Sequence, residues 1–202
     1  MSLPAMTSFL RCSVIAALVA FILAPPAGFA VSAKEIHPPF GMAWGLEFQR
    51  VEESVRTAGG HVVEKVPSGI GTVRWSVEGI PQEGLLRTIF TFESGRLQGV
   101  ELQYGSAEWD TPMYDEFMRR VKAGLDAEHG GGRLLVRERT PSAGVLKTML
   151  GYSWTGGMPS GGTQSVALIY FAAQDERNLF RMLSLHYSAR PARNYPQVAR
   201  RS

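Results

Sequence analysis

Histidine is the side chain best suited to proton transfer near neutral pH and to metal binding, and the chain carries four. They are His37, His61, His129 and His186. No two of them have the spacing of four residues with which one helix face presents two imidazoles to a zinc ion. The single cysteine, Cys12, lies close to the N-terminus. The pattern therefore predicts no metal site and no cofactor.

Other reactive side chains are also poorly placed for catalysis. Ser94 and Ser160 each precede a glycine but lack the flanking glycines of a nucleophile elbow, and both stand where turns are expected. Glu52 and Glu53 are neighbours on a predicted helix, so their carboxylates point in different directions. The glycines at 130–132 lack the lysine of a phosphate-binding loop. We therefore expect no enzyme activity.

Two tryptophans and one loop are the candidates for contact with a partner, because tryptophan is enriched at binding hot spots. Trp44 and Trp109 each precede a predicted helix and either pin that helix to the sheet, which we favour, or serve as exposed anchors. The glycine-rich loop over 155–163 is either a flexible connection or a surface that presents Met158. The candidate partner-binding residues are Trp44, Trp109, Met158, Pro159 and Ser160.

The N-terminal segment has the pattern of an export signal. Arg11 precedes a mostly apolar run over Cys12–Leu23, and prolines and small residues follow. The run is shorter than the roughly 20 residues that a membrane-spanning helix needs. We predict a signal peptide over residues 1–33, cleaved after Ala33 or, as second choice, after Ala30, and a periplasmic or secreted mature protein without a transmembrane segment. A retained membrane anchor is the alternative.

Charge and cysteine content limit the mature chain further. The net charge is +3, and Arg11 is the sole charged residue before Lys34, so the remainder carries a small excess of basic groups. That excess is too weak to indicate binding of nucleic acid. Several arginines lie among prolines in residues 190–202, and we predict a disordered basic tail there, or a contact with a membrane surface or an acidic polymer. No disulfide can form once Cys12 is removed.

One long helical pattern, Thr111–His129, lies at the centre of the mature chain. Thr111 can cap the helix, Pro112 suits its first turn, and the glycines at 130–132 can end it. Apolar residues recur at spacings of three and four along one face, so that face must be buried. A shorter helix is predicted over Leu46–Ala58.

Eight strands are predicted from alternating or apolar runs bounded by turn residues. They are His61–Val66, Thr72–Glu78, Leu86–Glu93, Leu97–Tyr104, Arg133–Glu138, Leu146–Trp154, Gln164–Phe171 and Arg181–Ser188. The fold class is α+β, with one unit of a helix and four antiparallel strands over 34–106 and a second over 107–189. The helices should pack on one sheet face.

Sequence echoes suggest that the second unit duplicates the first. Val100–Tyr104 recurs as Leu183–Tyr187, and each segment closes its unit. A competing alignment pairs Leu86–Phe90 with Leu146–Leu150, but it places the strands out of order. We favour the alignment that preserves the order.

The hairpin of the third and fourth strands allows a prediction of register. The apolar residues of both strands fall on one face if Phe90 lies opposite Val100 and Leu86 opposite Tyr104, with Glu93 opposite Leu97. This arrangement requires a three-residue loop, because a two-residue turn at 94–95 alone would shift the strands by one residue.

Two successive units of a helix and four strands resemble the β-lactamase inhibitory protein family. The entry Trp44-Gly45 into a helix is similar to the opening of many exported bacterial proteins. The first resemblance implies a fold that binds another protein, although the two disulfides of that family are absent and no functional residue carries over.

The sequence thus favours a non-catalytic periplasmic protein that binds an envelope or secreted macromolecule, as an inhibitor or an envelope accessory. The alternative is a small-ligand-binding protein that uses a cleft between sheet and helices. An apolar surface patch would favour the first, and a pocket with a few convergent polar groups would favour the second.

Overall fold

The computed structural model of the chain describes residues 34–158 and 161–190. The helices are α1 (Phe48–Thr57) and α2 (Thr111–His129). The strands are β1 (His61–Gly69), β2 (Thr72–Glu78), β3 (Leu85–Glu93), β4 (Arg96–Tyr104), β5 (Arg133–Ser142), β6 (Val145–Gly157), β7 (Thr163–Gln174) and β8 (Leu179–Arg190). The predicted signal peptide lies outside the described residues. So does the predicted tail except for Arg190, which ends β8.

The eight strands form one antiparallel sheet in the order β1-β2-β3-β4-β8-β7-β6-β5. Each strand pairs with its neighbour in sequence except at the centre, where β4 pairs with β8. The prediction of an α+β fold with antiparallel strands is confirmed. A repeat of two separate helix-plus-four-strand units is not shown, because the strands belong to a single sheet.

The turn between β3 and β4 differs from the prediction. Ser94 and Gly95 form a two-residue turn with φ of 49° and 78°, the left-handed values that the favoured hairpin turns require. Glu93 therefore lies opposite Arg96, and the predicted three-residue loop is wrong. A β-bulge then leaves Gln98 of β4 without a partner on β3, and this extra residue offsets the shorter turn.

The bulge restores the register that burial demands. Phe90 lies opposite Val100, as predicted, and both side chains are almost completely buried. A second irregularity places Leu85, not Leu86, opposite Tyr104, and leaves Leu86 56% exposed. The prediction that Leu86 belongs to the buried face is therefore wrong.

Both helices contact side chains of the same sheet face. Phe48 at the start of α1 packs on Trp75 and Phe92, with ring centroids 5.1 and 4.5 Å apart. Phe117 of α2 packs on Tyr104 with centroids 5.1 Å apart. The opposite face of the sheet, which we call the open face, receives neither of these helices.

The N-cap of α2 is Asp110 rather than the predicted Thr111. The Asp110 carboxylate accepts a hydrogen bond from the backbone N–H of Met113 at 2.9 Å. Thr111 is the first helical residue, and its hydroxyl accepts a hydrogen bond from Arg181 of β8 at 2.8 Å. An aspartate one position earlier competes successfully because its carboxylate is the stronger acceptor.

The C-terminal end of α2 is fastened to β6 through Asp126. Its Oδ1 accepts hydrogen bonds from the Gly132 N–H at 2.8 Å and from the Trp154 indole N–H at 3.1 Å. Its Oδ2 accepts from Lys122 at 2.6 Å. These donors, Lys122 first, lower the pKa of the Asp126 carboxyl. One side chain thus connects the last turn of the helix, the following glycines and the sheet.

We expect Asp126→Ala to lower the free energy of unfolding by about 1–2 kcal/mol, because three donors lose a charged acceptor. Chemical denaturation measures the change. Asp115→Ala, at an exposed position on the same helix, is the control and should have little effect. Equal losses in the two variants would contradict the role assigned to Asp126.

Candidate functional site

A cleft lies over the centre of the sheet, on the face that carries the helices. Its floor is formed by the paired strands β4 and β8, and its walls by α2, by the segment that leads into α1 and by the β2–β3 connection. The cavity volume is about 360 Å³. Its lining residues are Pro39, Phe40, Gln82, Leu102, Tyr104, Phe117, Val121, Gly124, Leu125, Leu185 and Tyr187.

The pairing of β4 with β8 places the floor residues next to one another. Leu102 lies opposite Leu185, and Tyr104 and Tyr187 follow each of these leucines two residues later along their own strands. Residues two apart on a strand point to the same face. The floor therefore has two leucines at its centre and two tyrosines on neighbouring strands.

Gly124 makes part of the wall that α2 contributes. It lies inside the helix, and a Cβ at this position would have no heavy atom within 4 Å. A helix-interior glycine costs about 0.8–1 kcal/mol relative to alanine. Gly124 is exposed, and neither backbone conformation nor close packing requires glycine here, so the space beside it opens to solvent as well as to the cleft.

Three lining residues supply polar groups. The Gln82 side-chain amide donates a hydrogen bond to the Tyr104 hydroxyl at 2.9 Å. Burial raises the pKa of Tyr104, and burial together with the nearby Glu128 carboxylate raises the pKa of Tyr187 to about 12. Within the described part of the chain, no hydrogen bond is formed by the Tyr187 hydroxyl. Both phenols are protonated at neutral pH, so each can donate a proton to a bound acceptor.

The segment before α1 is held in place by hydrogen bonds. The indole N–H of Trp44 donates to the Ile36 carbonyl at 2.7 Å, and the Ile36 N–H donates to the Gln164 side chain of β7 at 2.6 Å. Phe40 adopts a φ of 63°, which is unusual for a residue other than glycine. Trp44 thus fastens the segment that brings Phe40 to the cleft.

Trp109 also packs inside the protein. Its ring lies 5.2 Å from that of Tyr114 and 4.9 Å from that of Phe117, measured between centroids. A Cβ at Gly84 would approach the indole to 2.3 Å, so glycine is needed there for Trp109 to fit. Trp109 therefore connects the first turns of α2 to the β2–β3 connection. These contacts correspond to the favoured of its two predicted roles, that of pinning the helix.

Met158 lies in the connection between β6 and β7. Its N–H donates to the Gly162 carbonyl at 3.0 Å, and the Gly161 N–H donates to the Met158 carbonyl at 2.9 Å. Pro159 and Ser160 lie outside the described residues. The contacts described for Trp44, Trp109 and Met158 involve three separate segments, so they do not form one site. Their role in binding a partner stays a prediction.

A polar cluster on the open face was missed by the sequence analysis. Ser184 Oγ and His186 Nε2 share a hydrogen bond at 2.8 Å, and His186 Nδ1 lies 3.9 Å from a Glu101 carboxylate oxygen. Glu101 also accepts from Gln103 at 2.7 Å and pairs with Arg74 at 3.4 Å. The predicted strands place these residues on polar faces, but only the β4–β8 pairing brings them together.

The order serine, histidine, carboxylate is that of a nucleophile with its base, yet the geometry argues against acyl transfer. The distance from His186 to Glu101 exceeds that of a hydrogen bond. Ser184 is 3% exposed and lies in β8, which pairs on both sides. Backbone N–H groups of such a strand point to neighbouring strands and cannot stabilise an oxyanion. We interpret the cluster as a buried polar network.

Comparisons with known proteins found no match: no protein-family model, no curated protein and no solved structure matches this sequence. In the described residues, no group of three or more histidine, cysteine, aspartate or glutamate side chains is placed to hold a metal ion. The cleft is the candidate functional site because it is concave, is lined mainly by apolar side chains and contains the polar groups of Gln82, Tyr104 and Tyr187.

The cluster predicts a pH dependence of stability. Burial, opposed by Glu101 and supported by Arg74, lowers the pKa of His186. A histidine whose folded-state pKa is lowered contributes stability that is present above its unfolded pKa near 6.5 and is lost as pH falls through the folded value. His186→Gln should reduce the fall in melting temperature between about pH 7 and pH 5.

The matched control is His61→Gln, since His61 is exposed, and it should leave the pH dependence of the melting temperature unchanged. His129 also has a pKa lowered by burial, so part of the fall should remain. An acid-induced fall that is the same in His186→Gln and in the unaltered protein would contradict the assignment.

Proposed function

We propose that this chain is a non-catalytic protein that binds a small, largely apolar ligand in the cleft between α2 and the central strands. The observation that carries the proposal is the open space beside Gly124, in a cleft whose floor includes the Tyr187 hydroxyl, which has no hydrogen-bond partner among the described residues. Ligand sites are concave, mostly apolar and supplied with a few polar groups. The cleft has each of these properties, and its volume is at the lower end of the usual range.

The chemistry of the polar groups supports binding without catalysis. Both phenols have raised pKa values, so neither is a useful base at neutral pH. An amide and two protonated phenols can orient a ligand and hold it by hydrogen bonds. The cleft is thus suited to retention of a ligand rather than to transfer of its protons.

Export and internal duplication belong to the same proposal. Export to the periplasm or beyond rests on the apolar run after Arg11. The duplication is supported by the register of β4 and β8: the echoed segments Val100–Tyr104 and Leu183–Tyr187 pair with each other about Leu102 and Leu185. A two-fold relation between two halves would produce this register, and it would agree with the resemblance to the β-lactamase inhibitory protein family. No helix of the described residues is long and apolar enough to cross a membrane.

Gly124→Phe should weaken binding of the neutral dye Nile red by about tenfold or more, because the new side chain occupies the open space. Gly124→Ala is the matched control. It retains most of the space, should bind the dye as the unaltered protein does, and should gain up to about 1 kcal/mol of stability from helix propensity.

Dye fluorescence measures binding, and thermal unfolding shows that each variant is folded. Binding of the dye by Gly124→Phe as tightly as by Gly124→Ala would refute the cleft as the ligand site.

A second candidate function is binding of an envelope or secreted macromolecule, as an inhibitor or envelope accessory. Phe180 of β8 is 47% exposed, and its ring lies 6.2 Å from that of Phe171 on the open face. Exposed aromatic pairs are common at protein interfaces. This pair, rather than the 155–163 loop, is the specific observation in favour of a macromolecular partner.

Phe180→Ser should reduce capture of a partner from an envelope extract while the melting temperature changes little, since half of the ring is already exposed. Met158→Ser provides the comparison for the predicted loop site. Affinity capture followed by mass spectrometry measures both. Unchanged capture by Phe180→Ser together with reduced capture by Met158→Ser would move the interface to the loop.

A further inference from the structure

The chemistry of the cleft also restricts the charge of its ligand. Resting on the proposed function, we propose that the cleft selects uncharged apolar molecules that carry a hydrogen-bond acceptor, such as a ketone or ester carbonyl, and that this acceptor receives a hydrogen bond from the Tyr187 hydroxyl.

The basic side chains of α2 are already engaged. The pairs are Arg119 with Glu116 at 3.7 Å, Arg120 with Glu83 at 2.7 Å, and Lys122 with Asp126 at 2.6 Å. The second pair joins α2 to the connection that carries Gln82. The Arg119 and Arg120 pairs are largely exposed and therefore weak, but a carboxylate in the cleft that left them intact would remain uncompensated in an apolar site.

The acidic residue that bears on the charge of the cleft is Glu128, which lies one turn beyond Gly124 in α2. Burial first, and then the charge of the Glu128 carboxylate, whose side chain is 54% exposed, raises the pKa of Tyr187. The same charge repels an anionic ligand at this end of the cleft. Burial and repulsion act in the same direction, so both favour a neutral ligand over an anion.

The polar lining is arranged to donate. Because Tyr104 accepts a hydrogen bond from Gln82, its own hydroxyl proton is left for another acceptor. The Tyr187 hydroxyl, with no partner among the described residues, offers a second proton. A ligand acceptor would satisfy a group that is otherwise partly desolvated and unpaired, and such groups discriminate strongly between ligands with and without the matching atom.

Positive ligands are the remaining class. Phe40 and the two tyrosines present ring faces or edges to the cleft, and aromatic rings can attract cations. No carboxylate is among the residues that line the described cleft, and its phenols are proton donors, which an ammonium group cannot use. The neutral acceptor is the ligand type that uses both the phenol donors and the apolar lining.

Four probes that share a naphthalene body separate these cases: 2-acetonaphthone, 2-ethylnaphthalene, 2-naphthoate and 2-naphthylmethylammonium. Their displacement of Nile red is measured on the unaltered protein and on Tyr187→Phe. We expect the ketone to bind about tenfold more tightly than either ion and about fivefold more tightly than ethylnaphthalene. Tyr187→Phe should abolish the preference for the ketone over ethylnaphthalene and leave ethylnaphthalene unchanged.

Gly124→Phe keeps this test separate from the proposed function. Probes that displace dye from the unaltered protein but bind Gly124→Phe poorly support the cleft, whatever their order of affinity. Within that result, an ion that binds as well as the ketone, or a ketone preference that survives in Tyr187→Phe, overturns the selectivity proposed here. If Gly124→Phe binds every probe as tightly as the unaltered protein does, the proposed function itself is overturned.

Discussion

The antiparallel pairing of β4 with β8 is the interaction on which the rest of the structure depends. It joins two four-stranded meanders into one sheet, and it sets Leu102 opposite Leu185. Because side chains alternate along a strand, this register places Tyr104 and Tyr187 under the helices and Glu101 beside His186 on the open face. A slip by one residue would exchange the two sets and bury charged groups against α2. The cleft and the polar network are therefore two faces of one pairing.

Local features of the fold were predictable because neighbouring residues determine them. The bounds of α2 agree with the sequence prediction, since an amphipathic stripe and three glycines mark them, although the N-cap is Asp110 rather than Thr111. The two-residue turn at Ser94 was not predicted, because a bulge at Gln98 compensates for it at a distance of four residues. The β4–β8 pairing was not predicted either, since it joins segments about 80 residues apart and no local pattern encodes such contacts.

The cleft could be foreseen only in general terms. The sequence suggested a space between sheet and helices as one alternative, but the lining residues come from the lead-in segment, the β2–β3 connection, two strands and a helix. Gly124 was the one local signal, a lone glycine inside an otherwise regular helix. Whether such a glycine lines a cleft depends on the residues near it in the fold, which the sequence alone does not reveal. Trp44 and Trp109 were the aromatic candidates predicted to bind a partner, yet their contacts position the walls of the cleft rather than form its floor.

Two features distinguish the cleft. Gly124 gives up helix propensity that alanine would provide, and the Tyr187 hydroxyl has no hydrogen-bond partner in the described residues. Nearby, Asp126 accepts three hydrogen bonds and stabilises the same helix. A helix that is firmly fastened at its end can keep an unfavourable residue where open space is needed. Local departures from good packing and polar pairing are concentrated at functional sites in natural proteins. The presence of an unfavourable glycine and an unpaired phenol on one cleft is the physical reason to assign function there.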